Sequence, residues 1–175
     1  MKKISGDIIV IENFISKQLA KLIVENISPI TIQHPDGLEG MYAGPSFPEE
    51  YEIDYEDYNM GTELLHLLNM SIQNAVSKEY GTLYKTRSLF YSKMTKGSFN
   101  RLHYDNYYYS AKDKEVKARN DYEKDRSAIL YLSEEYSGGE LSFPLQNVEL
   151  SPKAGTLIFF EGNDTVPHEV KKVID

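Results

Sequence analysis

The apolar positions of this chain follow two periods, helical in the first half and strand-like in the second. Ile8, Ile9, Val10 and Ile11 form a β-branched run, the composition of a buried strand. Ser16 then stands where a helix cap belongs, and Leu19, Leu22, Ile23 and Ile27 recur at helical spacing. The opening therefore reads as strand, then helix. A second helix carries Leu64, Leu65, Leu68, Ile72 and Val76 on one face, and Gly81 occupies the usual place of a left-handed C-terminal cap. Between the two helices, Pro29, Pro35, Gly37, Gly40, Gly44, Pro45 and Pro48 break every period and lead into EEYEIDYEDYNM. Ser28 to Met60 is accordingly a long surface excursion.

Beyond Gly81 the runs shorten to SLFYSKM, SAILYLS, ELSFP, NVELS and GTLIFFE, divided by Gly, Pro and Asn. Several short strands at such spacing predict a sandwich or jelly roll with antiparallel connections. Asn106 to Asp125 interrupts them with polar residues of mixed charge, and a mobile loop or a short solvated helix is expected there. There is no internal repeat.

Composition narrows the chemistry. The 175 residues carry a formal net charge of −8, which repels a phosphate backbone, so nucleic acid is not an expected partner. The absence of cysteine removes disulfide frameworks, thiol nucleophiles, zinc knuckles and iron–sulfur clusters. Any metal must be held by histidine and carboxylate. The start, MKKISGDIIVIENF, has an apolar run too short for a secretory core or a membrane span. A soluble, cytoplasmic protein without membrane attachment is expected.

Four histidines are present, His34, His66, His103 and His168. His34 lies in a Pro-Gly loop and His66 in a leucine-rich helix, where a turn residue and a helix-surface residue suffice as readings. His103 differs, because Asp105 stands two positions later and alternate residues on a strand project to one face. His168 is the remaining imidazole in the β-rich half. Two histidines and one carboxylate make up the facial triad of non-haem Fe(II), with positions left open for cosubstrate and oxygen.

From about Leu89 onward, FYSKMTKGSFNRLHYD, RSAILYLSEEYSGGELSFP and LSPKAGTLIFFEGNDTVPHEV resemble, in order and spacing, the 2-oxoglutarate- and Fe(II)-dependent oxygenases of the prolyl 4-hydroxylase-like group. Gly97 matches the glycine before the first metal histidine, and His103 and Asp105 match the H-x-D pair. Arg126 and Tyr131 to Ser133 resemble the strand that follows, and Gly138, Gly139, Glu140, Phe143 and Pro144 match G-G-E-x-x-F-P. Pro152, Gly155 and Phe159 resemble the strand before the distal histidine, and His168 with Val170 the H-x-V that supplies it. Taken as structure alone, the glycines and prolines shape turns and the phenylalanines fill a core.

The resemblance implies a mainly β protein with N-terminal helices, its double-stranded β-helix (jelly-roll) core flanked by α-helices. Residues 1–82 would be strand and helical support and 83–175 the core of a single domain. It further implies Fe(II) on His103, Asp105 and His168, 2-oxoglutarate as cosubstrate, ascorbate as a candidate reductant, and hydroxylation of a prolyl residue in a peptide or protein. The tyrosine-rich segments YEIDYEDYNM and YDNYYYS suit a peptide-gripping surface.

Three departures qualify the cosubstrate site. The family places a tyrosine that holds 2-oxoglutarate where Met94 stands; Tyr91 takes that part only in a shifted register. Leu141 replaces the common threonine after G-G-E. The Arg or Lys that pairs with the far carboxylate of 2-oxoglutarate lies nine or ten residues past the distal histidine, whereas this chain stops at Asp175. Truncation, with loss of the final core strand, is the expected explanation; the alternative is a replacement cation, for which Arg126 is the candidate, since Lys171 and Lys172 lie too near His168. A non-catalytic jelly-roll module that binds metal or peptide is the main alternative, and a cupin-like metal enzyme ranks last.

Overall fold

The computed structural model describes residues 2–5, 8–27, 61–86, 94, 96–105, 107–110, 115–118 and 126–175. Among the described residues it is mainly β, with two α-helices and antiparallel sheets. The strands are β1 (Lys2–Ser5), β2 (Ile8–Ile11), β3 (Asn100–His103), β4 (Tyr107–Ser110), β5 (Glu115–Ala118), β6 (Arg126–Leu130), β7 (Leu141–Phe143), β8 (Val148–Leu150), β9 (Leu157–Glu161) and β10 (His168–Val170). The helices are α1 (Lys17–Ile27) and α2 (Gly61–Tyr80). One sheet runs β1-β2-β9-β6 and a second β3-β10-β7-β8, while β4 and β5 pair alone. This arrangement is compatible with the expected jelly roll.

The first sheet is apolar on both faces, which is why β2 and β9 read as unbroken apolar runs and not as alternation. Register partners share a face, so Val10 with Ile158 and Ser127 with Phe160 point one way, and Ile9 with Phe159 and Arg126 with Glu161 the other. On the inner face Ile8, Val10, Ile158 and Phe160 meet Leu141 and Phe143 of the second sheet, with Val166 beside them. On the outer face Ile9, Leu157 and Phe159 pack against Val76, Ile72, Ala75 and Tyr80 of α2. The central strands thus separate two cores.

Local signals are realised with some displacement. Ser16 Oγ accepts the Leu19 amide at 3.1 Å, capping α1 as its sequence predicts. Burial in α1 nevertheless falls on Ala20 and Ile23, and Leu22 remains 48% exposed. Gly81 takes φ +65° just past α2. No described helix is long and apolar enough to cross a membrane.

Two expectations are corrected. The opening holds an additional strand, β1, whose lysine-bearing edge pairs with β2; Lys2 and Lys3 hid it, although charged residues are usual on an edge strand. In the polar segment 106–125, β4 and β5 form a hairpin with Tyr107 opposite Ala118, in place of a loop or helix. Ser28 to Met60, with His34, lies outside the described residues, as does the run from Ser88 to Lys93.

The HEVKKVID stretch is extended beyond β10 and held on both sides. Val173 donates to the Ser98 carbonyl (2.9 Å) and accepts from the Gly97 amide (2.8 Å), while Ile174 donates to Ser137 (2.8 Å). Gly138 must be glycine at this crossing: its φ is +69°, and a Cβ would lie 2.2 Å from the Lys172 carbonyl oxygen.

Candidate metal centre

The two sheets meet at His103, Asp105 and His168. β3 and β10 are antiparallel neighbours with His168 directly opposite His103, so cross-strand pairing alone brings positions 103 and 168 together, at a ring-centroid separation of 4.3 Å. Asp105 follows β3 by two residues and returns its carboxylate to both rings. Oδ1 is 3.3 Å from His103 Nε2, and Oδ2 is 3.6 Å from His168 Nε2.

Both rings are oriented by backbone. His103 Nδ1 lies 2.7 Å from the Arg101 carbonyl and His168 Nδ1 3.3 Å from that of Val166. A carbonyl only accepts, so in each ring Nδ1 carries a proton and Nε2 is the atom turned toward Asp105. Metal-ligating histidines are commonly oriented in this way, one ring nitrogen donating to a backbone carbonyl while the other faces the ion. Phe160 backs the His168 ring at 4.6 Å, with Phe143 at 5.9 Å, and His168 is only 4% exposed. The carboxylate, by contrast, is 37% exposed, leaving one side of the cluster open.

The electrostatics agree with a cation position among these atoms. Burial opposes ionisation of Asp105, but hydrogen bonding from His103, the field of His168 and the Ser127 hydroxyl outweigh it and hold its pKa below the usual carboxylate value. Burial likewise opposes charging of His103, yet the hydrogen bond to Asp105, the Arg101 carbonyl and the carboxylate charge raise its pKa. His168, more deeply enclosed, is pushed down by burial against the pull of Asp105 and further by His103. One carboxylate field is therefore concentrated on two Nε2 atoms.

The donor set fits a metal. One ligand atom from each residue lies within 4.8 Å of the others, and an octahedral ion with bonds of about 2.1 Å needs neighbouring donors about 3 Å apart. Two imidazoles and one carboxylate with an open side are the donors of non-haem Fe(II) oxygenases.

The comparisons with known proteins point the same way. Residues 89–175 match the model of the 2OG-Fe(II) oxygenase superfamily. The chain belongs to that superfamily. Among solved structures the oxygenase is similar to the viral collagen prolyl hydroxylase of Paramecium bursaria Chlorella virus-1 in its 2OG complex, at 16% identity and a TM-score of 0.65 over 97% of this chain and 89% of that one. It is also similar to a Pseudomonas putida prolyl-4-hydroxylase (18%, TM-score 0.61, 95% and 85%). A third is a Trichoplax adhaerens prolyl hydroxylase in complex with a hypoxia inducible factor peptide fragment (17%, TM-score 0.66, 96% and 78%). At these identities the likeness is one of fold. No curated protein sequence matches the oxygenase significantly.

The other residues singled out in the sequence are placed differently. Tyr91 lies outside the described residues, and Met94 is half-buried. Arg126 is not brought to the triad. It stands on the outer face of β6, 2.8 Å from Glu161 Oε1 and 4.4 Å above the ring of Tyr80, because its neighbour Ser127 takes the inner face. The structure thus gives Arg126 partners within the protein and does not gather it with the three clustered residues. His66 is exposed on α2, as expected. Ser127 itself, whose hydroxyl bonds Asp105 Oδ2, was missed; its only sequence signal is its position in RSAILYLS, which carries no chemistry until the facing of the strand is known.

Proposed function

We propose that this oxygenase is a 2-oxoglutarate- and Fe(II)-dependent dioxygenase that hydroxylates a prolyl residue in a peptide or protein. It would act as a single domain over 1–175 with a double-stranded β-helix core flanked by helices. The observation that carries the reading is the presentation of two Nε2 atoms and one ionised carboxylate to a common point with an open side. His103, Asp105 and His168 would hold the metal. When bound, Fe(II) and 2-oxoglutarate would let O2 serve as the oxidant: one oxygen atom would go to succinate as the cosubstrate loses CO2, and the other would convert a substrate C–H to C–OH.

The protein's own part is positioning and shielding. The Arg101 and Val166 carbonyls fix the ring tautomers, Phe143 and Phe160 exclude water behind His168, and the exposed side of Asp105 leaves room for reactants. Support for a prolyl substrate comes from the fold shared with prolyl hydroxylases and from the tyrosine-rich segments. A cytoplasmic location, ascorbate as reductant, and no role for nucleic acid or membrane complete the proposal.

Anaerobic titration with Fe(II), with and without 2-oxoglutarate, tests it: cosubstrate chelation gives a visible metal-to-ligand charge-transfer band. On admission of O2, proline-containing peptides should gain one oxygen atom as succinate accumulates. Oxygen gained at another residue type would retire the prolyl assignment alone. Metal binding without any succinate would turn the reading to a jelly-roll module that binds metal or peptide without turnover.

A further inference from the structure

We propose that Ser127 is the positioning residue of the metal centre, its hydroxyl reaching across from the opposite sheet to fix the rotation of the Asp105 carboxylate. This rests on the assignment of His103, Asp105 and His168 as ligands. Asp105 lies past the end of β3, outside the ladder that aligns His103 with His168, so sheet pairing does not set its side-chain torsions. A carboxylate can ligate a metal through one oxygen or both. Bound through both, it would occupy a further coordination position, and the open positions are what distinguish this donor set.

Ser127 settles that choice. Its Oγ donates to Asp105 Oδ2, engaging one oxygen, while Oδ1 remains 3.3 Å from His103 Nε2. The hydroxyl is itself held by the core. Ser127 is the register partner of Phe160, which is fully buried and lies 4.6 Å from the His168 ring. The same β9 residue thus backs one ligand and fixes the strand position that orients another. A register slip of one residue would turn Ser127 to the helix side and remove the bond.

The test is titration of the metal-free full chain with Co(II), followed by visible absorption and calorimetry, for the wild type, Ser127→Ala, Ser127→Thr and Ser127→Val. Thr and Val have nearly the same shape on a strand and differ in the hydroxyl, so their comparison isolates it even if the Ala variant folds poorly. The expected result is Co(II) affinity about 10–100-fold lower for Ala and Val than for the wild type, with Thr restoring most of it and the far-ultraviolet circular dichroism unchanged. Equal affinity for Thr and Val, or an Ala variant as tight as the wild type, overturns the proposal. A wild type that binds no Co(II) overturns the metal assignment beneath it, so the two failures are distinguishable.

Discussion

Arg126 and Glu161 face each other at the end of the β6–β9 ladder and close a largely buried ion pair at 2.8 Å on the side of the sheet turned away from the metal centre. Arg126 also lies 4.4 Å over Tyr80, so one guanidinium ties β6 to β9 and to α2. Removing either partner leaves the other charge poorly solvated. Arg126→Gln and Glu161→Gln should each lower stability by about 1–3 kcal/mol in urea unfolding, with Co(II) affinity unchanged. Loss of 2-oxoglutarate binding by Arg126→Gln without loss of stability would return this residue to the cosubstrate site.

His103→Ala and Asp105→Ala should each weaken Co(II) binding by at least about 100-fold and abolish iron-dependent succinate formation, because each removes a donor. His66→Ala, exposed on α2, should change neither. Retained turnover in the His103 variant would contradict the ligand set.

Phe160→Ala should cost about 3–5 kcal/mol of stability through the cavity it opens. Because that ring backs His168 at 4.6 Å, the variant should also bind Co(II) more weakly at a temperature where it remains folded. Calorimetry on the folded fraction would measure this.

Gly138→Ala and Gly155→Ala combine a positive φ with a direct clash. The added Cβ would lie 2.2 Å from the Lys172 carbonyl oxygen in one and 2.2 Å from the Ile15 carbonyl oxygen in the other. Each should lose at least about 2 kcal/mol in urea unfolding. A variant as stable as the wild type would show that these crossings relax freely.

Metal should stabilise the fold by linkage, since its donors come together only in the native state. Co(II) at about 100 times its dissociation constant should add about 2.7 kcal/mol, read as an upward shift of the thermal midpoint that Asp105→Ala abolishes.

Much of this was legible in the residues. IIVI and LIFFE announced buried strands, Ser16 its cap and Gly81 the end of α2, because each signal is local. The grouping of the H-x-D pair with the distal histidine was legible from residue type and order, although it is not local, and the structure brings the three within 4.8 Å of one another. What stayed hidden depends on facing. RSAILYLS does not say which of Arg126 and Ser127 looks inward, and the register with β9 decides it. The β4–β5 hairpin escaped because charged and polar strands lack the apolar alternation that marks a half-buried one. The inward face of α1 shifted from Leu22 to Ala20, a choice made by packing and not by the spacing of large residues.

The pairing of β3 with β10 has a further consequence, in time as well as in space. The ligand cluster contains no local subset able to hold a divalent ion tightly, since His103 and Asp105 await a partner delivered by a distant segment. Non-local strand pairing is slow to form, because chain entropy is lost before contacts compensate for it. During refolding, metal uptake should therefore lag behind helix formation and keep pace with closure of that ladder, making a bound ion a clock for that closure.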